Sequence, residues 1–178
     1  MKRTDGEDEA LPKADAMSII KTAFVSLAGK EILDIGCGNG TLARSLMDQG
    51  ARVTGVDPNG EALEAARRAV PSGTFHNAGA EAMPFANHSF AGALFLNSLH
   101  HVPKLAMPRA LREAARVINP AGSIIVVEPL ANGSFFSVLR IVEDETDIRA
   151  AAQEIIDEMV KDETFEQLSR TDYLRRAH

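Results

Sequence analysis

This sequence predicts a doubly wound α/β domain built on a parallel sheet, because short apolar strand-like runs alternate with helix-like periods along it. Three observations carry the prediction. The run Glu31-Ile32-Leu33-Asp34-Ile35 breaks into alternating glycines, Gly36, Gly38 and Gly40, and a helix-like stretch over 41–48 follows at once. A second short apolar strand over 52–56 ends at Asp57 and leads into a helical period over 61–69. Further on, Leu111, Ala114, Ala115 and Ile118 repeat at the spacing of one buried helical face ended by Asn119-Pro120, and the β-branched run 123–127 reads as a fully buried parallel strand.

In chain order, residues 1–13 read as a mobile charged leader, and 14–27 as a helix with Met17, Ile20, Phe24 and Leu27 on one face. The strand at 31–35 then feeds the glycine turn. Glycine takes positive φ without a Cβ penalty and lets a bound molecule approach the backbone, so three at every second position imply close contact with a ligand; an ordinary tight βα turn is the other reading. A dinucleotide site needs Gly-x-Gly-x-x-Gly, whose third glycine position is Thr41 here, and a phosphate-cradling loop needs Lys-Ser or Lys-Thr after its last glycine. Neither is present. Asp57 stands at the carboxyl end of its strand, about 20 residues past the glycine turn, where a carboxylate accepts hydrogen bonds from both ribose hydroxyls. As Asn59 is the better cap for the helix at 61–69, with Glu61 in its first turn and Arg67 and Arg68 in its last, Asp57 is spare for a ligand.

At this point the sequence resembles the class I S-adenosylmethionine-dependent methyltransferases, in particular the small-molecule group that includes the ubiquinone and menaquinone biosynthesis enzymes. Beyond Ile32-Leu33-Asp34-Ile35-Gly36-Cys37-Gly38-Asn39-Gly40 and Val53-Thr54-Gly55-Val56-Asp57, the match runs in order through Ala80-Glu81-Ala82-Met83-Pro84-Phe85, Ser89-Phe90-Ala91-Gly92-Ala93-Leu94-Phe95, Asn97-Ser98-Leu99-His100-His101-Val102, residues 111–120 and Ser123-Ile124-Ile125-Val126-Val127-Glu128-Pro129. It covers roughly residues 30–130, and several ordered motifs are far more specific than any one. The resemblance implies a Rossmann-like sheet ordered 3-2-1-4-5, S-adenosylmethionine as cofactor, and methyl transfer to a small-molecule acceptor by in-line displacement. It implies cofactor contacts from Gly36, Gly38 and Gly40, from Asp57 to the ribose, from Pro58, Ala80 and Glu81 around the adenine, from Asn97 to the methionine amino group, and from Asp34, which orients the turn or a water on that amino group. Two family carboxylates are absent, at Gly79 beside the adenine and at Ala91, with Glu81 or a backbone group available to replace the first; Pro120-Ala121-Gly122 stands for the usual Pro-Gly-Gly turn.

Transfer from a sulfonium needs alignment and exclusion of water, and sometimes removal of an acceptor proton. One of His100 and His101, with His101 the better candidate, is placed to act as general base, since imidazole titrates near neutrality; the pair otherwise shapes the pocket. No metal is expected. Neighbouring histidines on a strand or helix diverge, and no other ligand spacing exists. His76, His88 and His178 have no evident partner. Cys37 reads as a small side chain beside the cofactor, and Phe135 and Phe136 as lining the acceptor pocket or packing in the core.

Composition sets the remaining bounds. The length of 178 residues with 45% hydrophobic content suits one domain: an N-terminal helix (14–29), a cofactor-binding core (30–130) and a helical C-terminal region (131–178). A net charge of -6 and a sequence pI near 5.4 argue against nucleic acid. A single cysteine suits a reducing compartment, and the absence of a long apolar run or signal region predicts a cytoplasmic protein without membrane insertion. Beyond Pro129 the family pattern is lost. Ile148, Ala151, Ala152, Ile155 and Met159 mark an amphipathic helix and 164–169 a short one, but the antiparallel strand pair that closes the family's sheet is missing. The expectation is a truncated chain or a variant fold, with an uncovered fifth strand that favours a homodimer. A degenerate protein that binds the cofactor without transferring is the main alternative, and a nicotinamide-dependent oxidoreductase a weaker one.

Overall fold

The computed structural model describes residues 13–24, 26–129, 145–172 and 174–175. Its centre is a five-stranded sheet of β1 (Glu31–Ile35), β2 (Arg52–Asp57), β3 (Thr74–Asn77), β4 (Phe90–Leu96) and β5 (Ile118–Val127). All four pairings are parallel and the spatial order is β3-β2-β1-β4-β5. The order reverses between β1 and β4. That is where an open α/β sheet opens a crevice for ligands at its carboxyl edge.

The helices follow the local sequence signals closely. Helix α1 (Ala16–Ala23) begins at Asp15, whose carboxylate accepts the Ser18 N–H at 2.8 Å, and α3 (Gly60–Ala69) at Asn59, whose side chain accepts from Glu61 and Ala62. Helix α2 (Thr41–Met47) starts directly from the glycine turn. Helix α4 (Met107–Val117) buries Met107, Ala110, Leu111, Ala114 and Val117, and α5 (Thr146–Lys161) buries Ala151, Ala152, Ile155 and Met159.

Successive residues of β1 face opposite layers, as a pleated strand requires. Ile32 packs with α1, α2 and α3, whereas Leu33 and Ile35 pack with α4 and α5. Both faces are therefore covered. A fully buried side chain of this size contributes about 1.5–3 kcal/mol, so the two layers carry most of the stability.

Several expected boundaries move. Helix α1 stops at Ala23, and Leu27 is buried from the following loop instead of from the helix face. Phe24 lies against Gly92, where an added Cβ would meet its ring at 2.6 Å, so α1 packs on the sheet near β4 and β5. Ile118 opens β5 instead of closing α4, and Ala115 is only half-buried. The segment Asn119-Pro120-Ala121-Gly122 bulges out within β5: between Phe90 and Gly92 the chain takes two steps, while its partner takes five from Ile118 to Ser123. Ala91 lies inside β4. Ile124, Ile125 and Val126 are half-buried because β5 is an edge strand with one described partner.

After α5 the residues 164–169 are not helical, and a two-residue parallel bridge joins Lys13–Ala14 to Leu174–Arg175. Among the described residues no antiparallel pair follows β5, and no helix is long and apolar enough to cross a membrane. Phe135, Phe136, His178 and residues 1–12 lie outside the described residues.

Gly55 has no room for a side chain, since an added Cβ would come within 2.7 Å of both Cys37 Sγ and the Phe75 ring. We expect Gly55→Ala to lower stability by about 1–3 kcal/mol in urea unfolding. An unchanged midpoint would contradict this packing.

Candidate functional site

The turn after β1 is held in place by its neighbour β2. The N–H groups of Gly36 and Cys37 both donate to the Val56 carbonyl, at 2.8 and 3.0 Å, and the Gly38 N–H donates to Asp57 Oδ2 at 2.9 Å. Asp57 Oδ1 accepts the Asn59 N–H at 2.8 Å, so both carboxylate oxygens are fixed while each keeps a further acceptor position. Gly36, Gly38 and Gly40 all have positive φ, at +73°, +50° and +80°. Nothing lies within 4 Å of a Cβ added at Gly38. At Gly36 such an atom would fall 2.5 Å from Ser98 Cβ, so this glycine is demanded by protein packing across the β1/β4 junction. Ser98 completes the seam by donating its hydroxyl to the Ile35 carbonyl at 2.6 Å.

Asp34 is 2% exposed and its Oδ2 has no hydrogen-bond partner among the described residues. Burial, and then the neighbouring Asp57 charge, push its carboxyl up to about 7, against the opposing hydrogen bond from Ala43 in the first turn of α2. An unpartnered buried acceptor of this kind suits a cationic group or a donating water. Cys37 does not line the crevice as expected. It packs into the layer beneath, against Gly55, and burial followed by the charges of Asp34 and Asp57 pushes its thiol up to about 12, which removes it as a nucleophile.

The loop after β3 carries Ala80, which is buried, and Glu81, which is half-buried. An atom added at Gly79 would lie 2.6 Å from both Glu81 carboxylate oxygens, so the Glu81 side chain folds back into the space a residue-79 side chain would use. Pro58 is exposed just beyond Asp57. A clamp invisible in the sequence pattern fixes the loop: Arg116 donates to the carbonyls of Phe85 at 2.8 Å and Met83 at 3.2 Å, and Glu113 accepts the Met83 N–H at 3.0 Å. Arg116 and Glu113 pair with each other at 2.7 Å, which holds the Glu113 carboxyl below its ordinary range. His76 meets Phe85 edge-on at 5.1 Å, and His88 bonds the Ile118 carbonyl at 2.9 Å.

At the end of β4, Asn97 is exposed with φ +52°, its backbone N–H bonded to the Val127 carbonyl. Glu128, one residue past β5, then accepts the N–H groups of Ser98 and Leu99 on Oε1, at 3.1 and 2.8 Å, and pairs with His100 Nδ1 through Oε2. The sequence reading assigned Glu128 no role. Its position at a strand's carboxyl end, like that of Asp57, was the available signal. His100 and His101 do not diverge, because the turn Leu99–His101 is a 3₁₀ helix that leaves their ring centres 4.1 Å apart.

A glycine turn and a strand-end carboxylate at the crevice of a 3-2-1-4-5 sheet define a Rossmann-like domain of the nucleotide-binding type. The chain belongs to the methyltransferase domain family, whose model matches residues 32–122. It is 38% identical over 101 residues to the demethylmenaquinone methyltransferase of Chlorobaculum parvum, covering 56% of this chain and 41% of that protein. It is 37% identical over 103 residues to the ubiquinone biosynthesis O-methyltransferase of Vibrio cholerae, covering 55% and 41%. The chain thus spans about two fifths of the length of these curated relatives. Among solved structures, a SAM-dependent methyltransferase from Methanosarcina mazei superposes with TM-score 0.62 at 31% identity, covering 67% of this chain and 60% of that one.

Because the Asp34 carboxyl is raised above the ~3.9 of an unfolded aspartate, its protonated form is the one that folding favours. That contribution is complete below about pH 4 and is lost as pH rises through about 7. Without ligand, the wild type should lose on the order of 3 kcal/mol relative to Asp34→Asn between about pH 4 and about pH 8. Parallel melting curves for the two proteins across this range would show that Asp34 carries no such burden.

Proposed function

We propose that this domain binds S-adenosylmethionine at the carboxyl ends of β1 and β2 and positions its methyl group for in-line transfer to a small-molecule acceptor. The observation that carries the reading is the Gly38–Asp57 hydrogen bond, which presents an ordered carboxylate beside a turn that is open at Gly38. The residues fit the cofactor. Gly38 lets its methionine portion lie against the backbone, Gly36 and Gly40, packed against Ser98 and Ala66, shape the turn that presents it, and the free acceptor positions of Asp57 take the ribose hydroxyls. Asp34 supplies negative potential for the ammonium group, and the side-chain carbonyl of Asn97 accepts from it. Pro58 and Ala80 flank the adenine, while Glu81, folded over Gly79, offers the carboxylate that the family often carries at position 79.

The cofactor's sulfonium supplies an already activated methyl, so the chain's task is alignment and exclusion of water. His101, exposed next to the seam formed by Ser98, is the side chain available to take a proton from an acceptor hydroxyl. The quinone-biosynthesis relatives support an acidic hydroxyl or ring carbon as the acceptor class. With -6 net charge a nucleic acid acceptor is disfavoured, and the lone cysteine suits the cytoplasm. Binding without transfer is the competing reading.

Calorimetry should show Asp57→Ala weakening cofactor binding about 10- to 100-fold, the worth of hydrogen bonds to a charged acceptor. Equal affinity sinks the ribose assignment. Cofactor carrying a labelled methyl, incubated with a metabolite extract, should transfer label to a small molecule; binding without any transfer would establish the competing reading. The edge of β5, which has one partner strand among the described residues, is proposed to pair with a second copy of the chain, so sedimentation should give a dimer, and a clean monomer would refute it.

A further inference from the structure

We propose that His100, His101 and Glu145 form a binding site for a divalent transition-metal cation. One ligand atom from each, two imidazole nitrogens and a carboxylate oxygen, lie within 4.8 Å of one another. Closing such a set onto an ion with bonds of about 2.0–2.2 Å needs only small side-chain rotations. The 3₁₀ turn makes this possible, since it brings consecutive histidines together where a strand would send them to opposite faces. Glu145 arrives from the start of α5, 44 residues beyond His101 in the chain.

His100 shows why the cluster is more than a chance gathering. It is 5% exposed, and its Nδ1 is engaged by Glu128, which is itself anchored by two backbone N–H groups. That pairing commits Nδ1 to Glu128 and turns Nε2 toward Glu145, the arrangement of metal sites where a carboxylate holds the far side of the imidazole. Nε2 in turn faces Glu145 Oε2 across 3.9 Å, too far for a hydrogen bond. An ion seated in that gap would bridge the two. Glu145 also pairs with Arg149 through the same oxygen, so an ion here would share that oxygen with the guanidinium.

Two imidazoles and one carboxylate favour zinc, cobalt or nickel over magnesium or calcium, which prefer oxygen ligands throughout. Three protein ligands leave a coordination position open. Where the methyl-transfer reading holds, that position would take an acceptor hydroxyl, which releases its proton to solvent and meets the methyl as the metal-bound oxyanion; His101 would then serve as a ligand and not as the base. Ion binding itself does not depend on that reading.

The test is titration of the full, tag-free chain with zinc chloride by calorimetry, and with cobalt chloride by visible absorption, in the absence of cofactor and acceptor. The wild type should bind one ion per chain. His101→Ala and Glu145→Gln, neither in the buried core, should each weaken binding about tenfold or more with unchanged circular dichroism. Glu128→Gln should weaken it through the orientation of His100, and Asp57→Ala should leave it intact while losing cofactor affinity. Failure of the wild type to bind either ion, or undiminished binding in both ligand variants, overturns the site. Loss of methyl transfer with ion binding retained bears only on the proposed function.

Discussion

Two strand-end carboxylates hold the loops of their neighbours, and the functional rim of this molecule is built on that arrangement. Asp57, the last residue of β2, accepts a backbone N–H from the turn that follows β1, while Glu128, just past β5, accepts two from the turn that follows β4. In each half of the sheet the outer strand thereby fixes the loop of the inner one. The two inner loops then meet at Ser98, which touches Gly36 and bonds the Ile35 carbonyl. Four strand ends become one connected edge. Such an edge is ordered before any ligand arrives, which lowers the conformational cost of binding.

The two carboxylates use their second oxygens differently, and the contrast divides the rim. Asp57 Oδ1 is satisfied locally by the N–H of Asn59, two residues on, so the carboxylate as a whole remains a surface acceptor. Glu128 Oε2 is instead spent on a buried imidazole, and its influence passes through His100 to whatever His100 touches. The first suits direct contact with hydroxyl groups. The second suits orientation of another ligand. Between them lies Asp34, whose buried oxygen, unpartnered among the described residues, costs the fold stability and gives a cationic ligand something to neutralise. A local violation of good packing chemistry at this point is what a functional site looks like in an otherwise self-consistent fold.

Features carried by short-range chemistry were legible in the sequence. The glycine spacing, the Asn59 cap, the buried stripe of α5 and the place of Asp57 at a strand end all depend on residues within a few positions of one another. What the sequence concealed depends on distant partners. The hydrogen bonds that define Ser98, Glu128 and the Glu113–Arg116 clamp span about 30 to 63 residues, so no local period betrays them. Cys37 was misplaced for a related reason: its neighbours in sequence are glycines of the crevice, but its side chain turns toward Gly55 on the next strand. The helix expected at 164–169 does not form: Phe165 packs against the core while Leu168 stays exposed, and tertiary packing decides such short segments. The two histidines were misjudged because divergence holds for strands and α-helices, and the chain uses a 3₁₀ turn instead.

The family match and the geometry therefore weigh unequally on the two halves of the rim. The β1–β2 half rests on backbone groups and one carboxylate, and it falls within the residues matched by the methyltransferase model. The β4–β5 half is built from side chains drawn from Leu99–His101, Glu128 and the start of α5, of which Glu128 and Glu145 lie beyond residues 32–122. Methyl-donor binding is accordingly the property most directly tied to the fold. In the second half, Glu128 commits one nitrogen of His100 and leaves the other facing Glu145.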